Sequence, residues 1–131
     1  MATIFEKIIA GEIPCAKIYE DENFLAFLDV RPINTGHTLV IPKKPESYIF
    51  DLEDQAYIDL MKLSKKVANH LKDKLNCKRI CMTVIGWEVP HVHVHLVPTD
   101  EMEDFYVKGP KMKQANIDEL QEVAKNLQGL E

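Results

Sequence analysis

Hydrophobic residues change their spacing from one segment of the chain to the next, and each spacing predicts an element. Over residues 3–10, Ile4 with Ile8 and Phe5 with Ile9 recur four apart, which predicts a short helix ended by Gly11. Pro14 opens an extended stretch, and Ala16–Tyr19 and Phe24–Leu28 read as a hairpin around the polar turn Glu20-Asp21-Glu22-Asn23. Arg31–Gly36 is a loop by its Pro, Asn and Gly content, and His37–Ile41 predicts a third strand closed by Pro42. From Asp51 to Asn76 the period becomes helical, with Leu60, Leu63, Val67, Leu71 and Leu75 in one stripe and Ala56, Met61 and Ala68 flanking it. Asp51 and Asp54 suit the positive end of that helix, Lys72 and Lys74 the negative end. Arg79–Ile85 returns to a strand, Gly86–Pro90 bends, and Val92–Val97 predicts a fifth strand. Residues 99–114 are polar and include Gly109-Pro110, so they predict a loop before a last helix, Ile117–Leu127, with Asn116 as cap and Glu119 three residues on. This order predicts one α+β domain with a mostly antiparallel sheet.

The fifth strand carries the chemistry. His91-Val92-His93-Val94-His95-Leu96 alternates strictly, which sends three imidazoles to one face and Val92, Val94 and Leu96 to the other. Such a row is open to three readings. It can be a solvated polar face, which five-residue clustering on a patterned strand disfavours. It can be a metal site, since His-x-His on a strand places two nitrogens on one ion. Or it can supply a nucleophile and acid–base groups at near-neutral pKa. Glu88 is the carboxylate nearest in sequence, and no HExxH or paired-Cys spacing is present. Spacing leaves the metal and catalytic readings level.

Composition narrows the partners. A net charge of −5 over 131 residues argues against a phosphate-backbone binder, so no nucleic acid is expected. Cys15, Cys77 and Cys81 are odd in number and lack CxxC spacing, which predicts reduced thiols in a cytoplasmic protein. Acidic and basic residues interrupt the N-terminal apolar pattern, so it is not a signal peptide. No apolar run approaches a membrane span. His70 reads as a solvated or packed helix position, Cys77 and Cys81 as packing residues, and Lys43-Lys44 as a solvated strand end.

With the triad and its flanks on view, the chain resembles the histidine-triad (HIT) superfamily of nucleotide hydrolases and transferases, nearest its histidine-triad nucleotide-binding branch. The resemblance spans roughly residues 3–98: the helix around Phe5-Glu6-Lys7-Ile8, the hairpin through Phe27-Leu28-Asp29-Val30-Arg31-Pro32, the strand Gly36-His37-Thr38-Leu39-Val40-Ile41-Pro42-Lys43, and the triad. It leaves residues 99–131 as a variable extension. It implies a five-stranded antiparallel sheet and a homodimer that joins two sheets into one. It also implies a hydrolase that cleaves a nucleoside 5′-phosphoryl bond, a phosphoramidate or related nucleotidyl substrate, through a nucleotidyl-histidine intermediate. No metal or other cofactor is implied. The alternative is a purine nucleotide-binding module with little or no catalysis.

By the same resemblance His93 is the nucleophile, and His91 and His95 orient it and bind phosphate oxygens. His37 sits behind the nucleophile and fixes its tautomer. Asp29 accepts from the ribose hydroxyls, and Phe5, Ile8, Ile13, Phe27 and Val30 enclose the base. Gly86, Glu88 and Val89 lie where the family's nucleotide-binding loop precedes the triad. There Gly86-Trp87-Glu88-Val89 replaces the usual Gly-Gln-Ser/Thr-Val, which sets an anion near the phosphate site; Trp87 is a candidate to stack on a base or ribose, to cover the sheet edge or to make a dimer contact. The thiolates and histidine that hold structural zinc in many bacterial relatives are replaced by Thr3, Glu6 and Pro45. Phe105-Tyr106-Val107 in the extension is a candidate dimer or pocket contact.

Overall fold

The protein is represented by a computed structural model that describes residues 2–105 and 114–130. Helix α1 covers Ile4–Ile9, followed by strands β1 (Lys17–Glu20), β2 (Phe24–Leu28) and β3 (Thr38–Pro42). Helix α2 (Asp54–Leu75) leads to β4 (Arg79–Thr83), β5 (Val94–Thr99) and helix α3 (Ile117–Lys125). The five strands form one sheet in the order β1-β2-β3-β5-β4, with every neighbouring pair antiparallel. The α+β class with an antiparallel five-stranded sheet is as the sequence predicts.

Both faces of the sheet are covered, which makes β2 and β3 buried throughout instead of alternating. The stripe of α2 (Leu60, Leu63, Val67 and Leu71) packs with Ala26, Leu28, Val40, Val92, Val94 and Leu96. On the other face Phe5 of α1 packs with Leu25, Phe27, Leu39 and Ile41. The triad's valines and leucine therefore face α2, while its histidines share the α1 side, as alternation demands.

Local chemistry sets the turns. Asp21 Oδ1 accepts the amides of Asn23 and Phe24 at 2.8 Å each, closing the β1–β2 hairpin. At the start of α1, Thr3 Oγ1 accepts the Glu6 amide at 3.1 Å and the Thr3 amide donates to Glu6 Oε1 at 3.2 Å. The two positions that would carry thiolates in a zinc-binding relative thus form a reciprocal helix cap. Thr3→Ala is expected to lower stability by about 1 kcal/mol, readable as a drop in urea midpoint; an unchanged midpoint would remove the cap from the account.

Several boundaries move for physical reasons. Ile49–Asp51 is a 3-10 turn, so the long helix begins at Asp54 and not at Asp51. β4 ends at Thr83, opposite His95. β5 starts at Val94, not Val92, and runs on to Thr99. Continuing its register would set Val92 against Pro42, which has no N–H to give; the Val92 amide donates instead to Glu46 O at 2.7 Å. The predicted loop after β5 contains a 3-10 turn at Met102–Asp104. Tyr106, Val107 and Gly109-Pro110 lie outside the described residues. α3 ends at Lys125, and Asn116 caps it through the Asp118 amide at 2.7 Å. Gln121 of α3 and Gln128 just beyond it donate to the carbonyls of Cys15 and Lys17, covering the β1 side of the sheet. No helix among the described residues is long and apolar enough to cross a membrane.

Candidate active site

His93 precedes β5 and is held by the chain immediately before it. Its Nδ1 lies 2.6 Å from the carbonyl oxygen of His91, and a carbonyl only accepts, so Nδ1 carries the proton and donates. Nε2 keeps its lone pair. Phe5 presses edge-on against the ring, with centroids 4.8 Å apart, and the residue is only 6% exposed. Burial holds the His93 pKa below the ordinary histidine value, against the smaller opposing pull of the His91 carbonyl, Asp29 and Glu88. The ring is therefore neutral at physiological pH, with its free nitrogen in the form of a nucleophile.

A second chain of bonds fixes His95. The Ile33 amide donates to His37 Nδ1 at 3.0 Å, which leaves the His37 proton on Nε2. That Nε2 donates to His95 Nδ1, also at 3.0 Å, so His95 carries its own proton on Nε2. Burial, with the neighbouring His93 and His37, lowers the His95 pKa to about 3. Burial also lowers that of His37, opposed by Asp29. His95 is a neutral donor whose outward nitrogen keeps an N–H. The expectation that His37 backs the nucleophile is corrected here: its partner is His95, and the His91 carbonyl sets the tautomer of His93.

His91 also departs from its expected role. It is fully buried, its Nε2 donates to Pro42 O at 2.7 Å, and its Nδ1 has no partner among the described residues. The side chain thus binds the end of β3, where the proline breaks the ladder, and does not reach a phosphate. It serves His93 by anchoring the backbone whose carbonyl His93 uses.

Asp29 sits between the two chains of bonds. Its Oδ1 accepts the Arg31 amide at 2.9 Å, and its Oδ2 is 3.5 Å from His37 Nε2 and 3.9 Å from His95 Nδ1. The loop behind it is clamped by Asn34, whose Nδ2 donates to Pro98 O at 3.0 Å and Asp104 O at 2.8 Å. Gly36 permits this close approach: its φ is +91°, and a Cβ there would lie 2.5 Å from Leu75 Cδ1. Asn34 and the Ile33 amide were not singled out in the sequence; the Pro-Ile-Asn-Thr-Gly turn composition is the signal that marks them.

Of the five apolar residues expected at the base, Phe5 and Phe27 are buried and in edge contact at 5.8 Å. Ile8 and Ile13 are half-buried and Val30 is exposed. Val89 packs against the Phe5 cluster, whereas Trp87 and Glu88 are exposed on a bend that Gly86 makes at φ +77°.

Asp29, His37 and His95 bring three potential metal-ligand atoms within 4.8 Å of one another. Their proton positions fit a cation poorly. His37 could offer Nε2 only by moving its proton to Nδ1, where the Ile33 amide already donates. The cluster is built around the N–H that His37 donates to His95.

Comparison with known proteins agrees with this architecture. Residues 10–102 match the model of the HIT domain. A HIT-like protein of Methanocaldococcus jannaschii is 42% identical over 121 residues, 89% of this chain and 94% of that protein. The adenosine 5′-monophosphoramidase of Saccharomyces cerevisiae is 35% identical, over 96% of this chain and 80% of the yeast protein. A hypothetical histidine triad nucleotide-binding protein of Sulfolobus tokodaii superposes with a TM-score of 0.82 at 30% identity, covering 95% of this chain and 88% of that one. The chain belongs to the HIT family, in its histidine-triad nucleotide-binding branch.

Proposed function

We propose that this chain is a nucleoside 5′-phosphoramidase, or a related nucleotidyl hydrolase, that forms a covalent intermediate on His93. The observation that carries the reading is the 2.6 Å bond from His93 Nδ1 to the His91 carbonyl, which leaves Nε2 unprotonated and aimed away from the backbone. A neutral imidazole attacks an anionic phosphorus with less repulsion than a carboxylate would. Nε2 bonds to the α-phosphorus, the bond to the leaving amine breaks, and that amine takes a proton from solvent. The positive charge gained by the ring is relieved through Nδ1–H to the His91 carbonyl. Water then attacks the same phosphorus and loses a proton, the P–N bond breaks, and neutral His93 returns with the nucleoside monophosphate. The Nε2–H of His95 donates to a nonbridging oxygen in both halves. Asp29 takes the ribose hydroxyls, and Ile8, Ile13 and Val30 meet the purine. Yeast and fission-yeast relatives named as adenosine 5′-monophosphoramidases, 35% and 38% identical, support the substrate class.

Adenosine 5′-phosphoramidate mixed with the protein should give AMP. The second reading, a binding module with little turnover, is favoured by the exposed Glu88 on the loop before the triad. Calorimetry showing AMP bound while no phosphoramidate is cleaved would establish that reading and end the first.

We further propose that the protein acts in the cytoplasm as a homodimer joined along β4. Among the described residues β4 pairs only with β5, and Met82 and Ile85 on or beside it are 56% and 59% exposed. Sedimentation should give twice the mass of one chain, falling to a single chain when Met82 and Ile85 are both replaced by Lys. A wild-type protein sedimenting as a single chain contradicts the dimer.

A further inference from the structure

Glu88 is a puzzle for any site that handles phosphate. Val89, the next residue, is anchored in the apolar cluster around Phe5, and Phe5 packs directly on His93. Glu88, one residue before this anchor, is thus exposed on the bend that leads into the nucleophile, and its charge is among those that bear on the His93 ring. An anion there repels a phosphate group. Beside it Trp87 is 90% exposed, more than any other large apolar side chain described. Glu88 has no ion-pair partner among those described, so the carboxylate offers its charge to whatever enters. A carboxylate and an exposed indole on consecutive residues of one bend are the two groups that receive an organic cation: one supplies charge, the other a quadrupole.

We propose that Glu88 and Trp87 recognise the leaving group, and select amine conjugates of a nucleotide whose far, non-reacting end carries an ammonium or guanidinium. This deepens the hydrolase reading and rests on it for the reacting bond. The repulsion then acquires a use. A conjugate brings one phosphate charge and one compensating cation, while the released monophosphate brings more negative charge and no cation. The same carboxylate favours the substrate and disfavours the product.

The test compares two adenosine 5′-phosphoramidates of equal length, one made from 1-aminohexane and one from 1,6-diaminohexane, whose free end is an ammonium. The diamine conjugate should have a kcat/KM roughly fivefold higher, given the modest worth of exposed charge and cation–π pairs. The ratio should fall toward one in Glu88→Gln, in Trp87→Ala, and at high salt, where the pair is screened. Glu88→Gln should also bind AMP more tightly. Equal rates for the two conjugates, or a ratio that survives Glu88→Gln, overturns the proposal. The same preference should be read without turnover as a ratio of Kd values on the His93→Asn variant. Neither conjugate being cleaved by wild type, with the Kd ratio intact, would strike the hydrolase reading alone.

Discussion

Replacing His93 with Asn should lower nucleoside monophosphate release by about 10⁴-fold or more, the scale on which loss of a covalent nucleophile is felt. Asparagine is the informative substitution because its amide keeps a donor for the His91 carbonyl while removing the ring nitrogen that bonds to phosphorus. The variant should melt near the wild-type temperature and still bind AMP. Those two readings separate loss of chemistry from loss of fold, which matters for a residue packed against Phe5. A well-folded His93→Asn protein with turnover within tenfold of wild type would show that the attacking group lies elsewhere, with water delivered directly to phosphorus.

Acidification from pH 6.5 to pH 5 should reduce the unfolding free energy markedly, before the bulk of the carboxylates titrate. His37, His93 and His95 all have folded pKa values lowered by burial. The unfolded chain therefore takes up protons first, near pH 6.5, and folding must expel them. Each ring that stays neutral in the fold costs about 1.4 kcal/mol per pH unit below that point. For His95 the loss continues down to about pH 3, where the folded ring itself protonates. Urea midpoints across this range should slope downward, and His95→Gln should flatten the slope. A flat profile in wild type would mean that the rings are charged in the fold, which the N–H bonds accepted by His37 Nδ1 and His95 Nδ1 do not allow. The same lowering at His93 should place the acidic limb of kcat/KM below the ordinary histidine range.

Much of the fold was legible because its periods are strong. The α2 stripe from Leu60 to Leu71 and the β1–β2 hairpin at Asp21 need only local spacing and turn chemistry, and both form as predicted. The side assignment of the triad followed from alternation alone. What escaped the sequence depends on register between distant strands. His37 meets His95 because Thr38 lies opposite Leu96 and Leu39 opposite His95, and no local pattern states that pairing. The start of β5 was misplaced because Val92 spends its amide on Glu46, a partner supplied by a loop 46 residues earlier in this numbering. His91 looked like a phosphate ligand by its place in the motif; only its burial and its bond to Pro42 reveal an anchor. Chemistry carried by backbone groups, the Ile33 amide and the His91 carbonyl, has no letter in a sequence.

The stereochemical course at phosphorus tests the central claim most directly. A chiral adenosine 5′-phosphorothioate amidate, hydrolysed in isotopically labelled water, passes through two in-line displacements if an imidazole is first attached to phosphorus and then replaced. Each inverts the centre, so the product should retain its original configuration. A product of inverted configuration would mean that water attacks in a single step and that no bond to His93 is ever made.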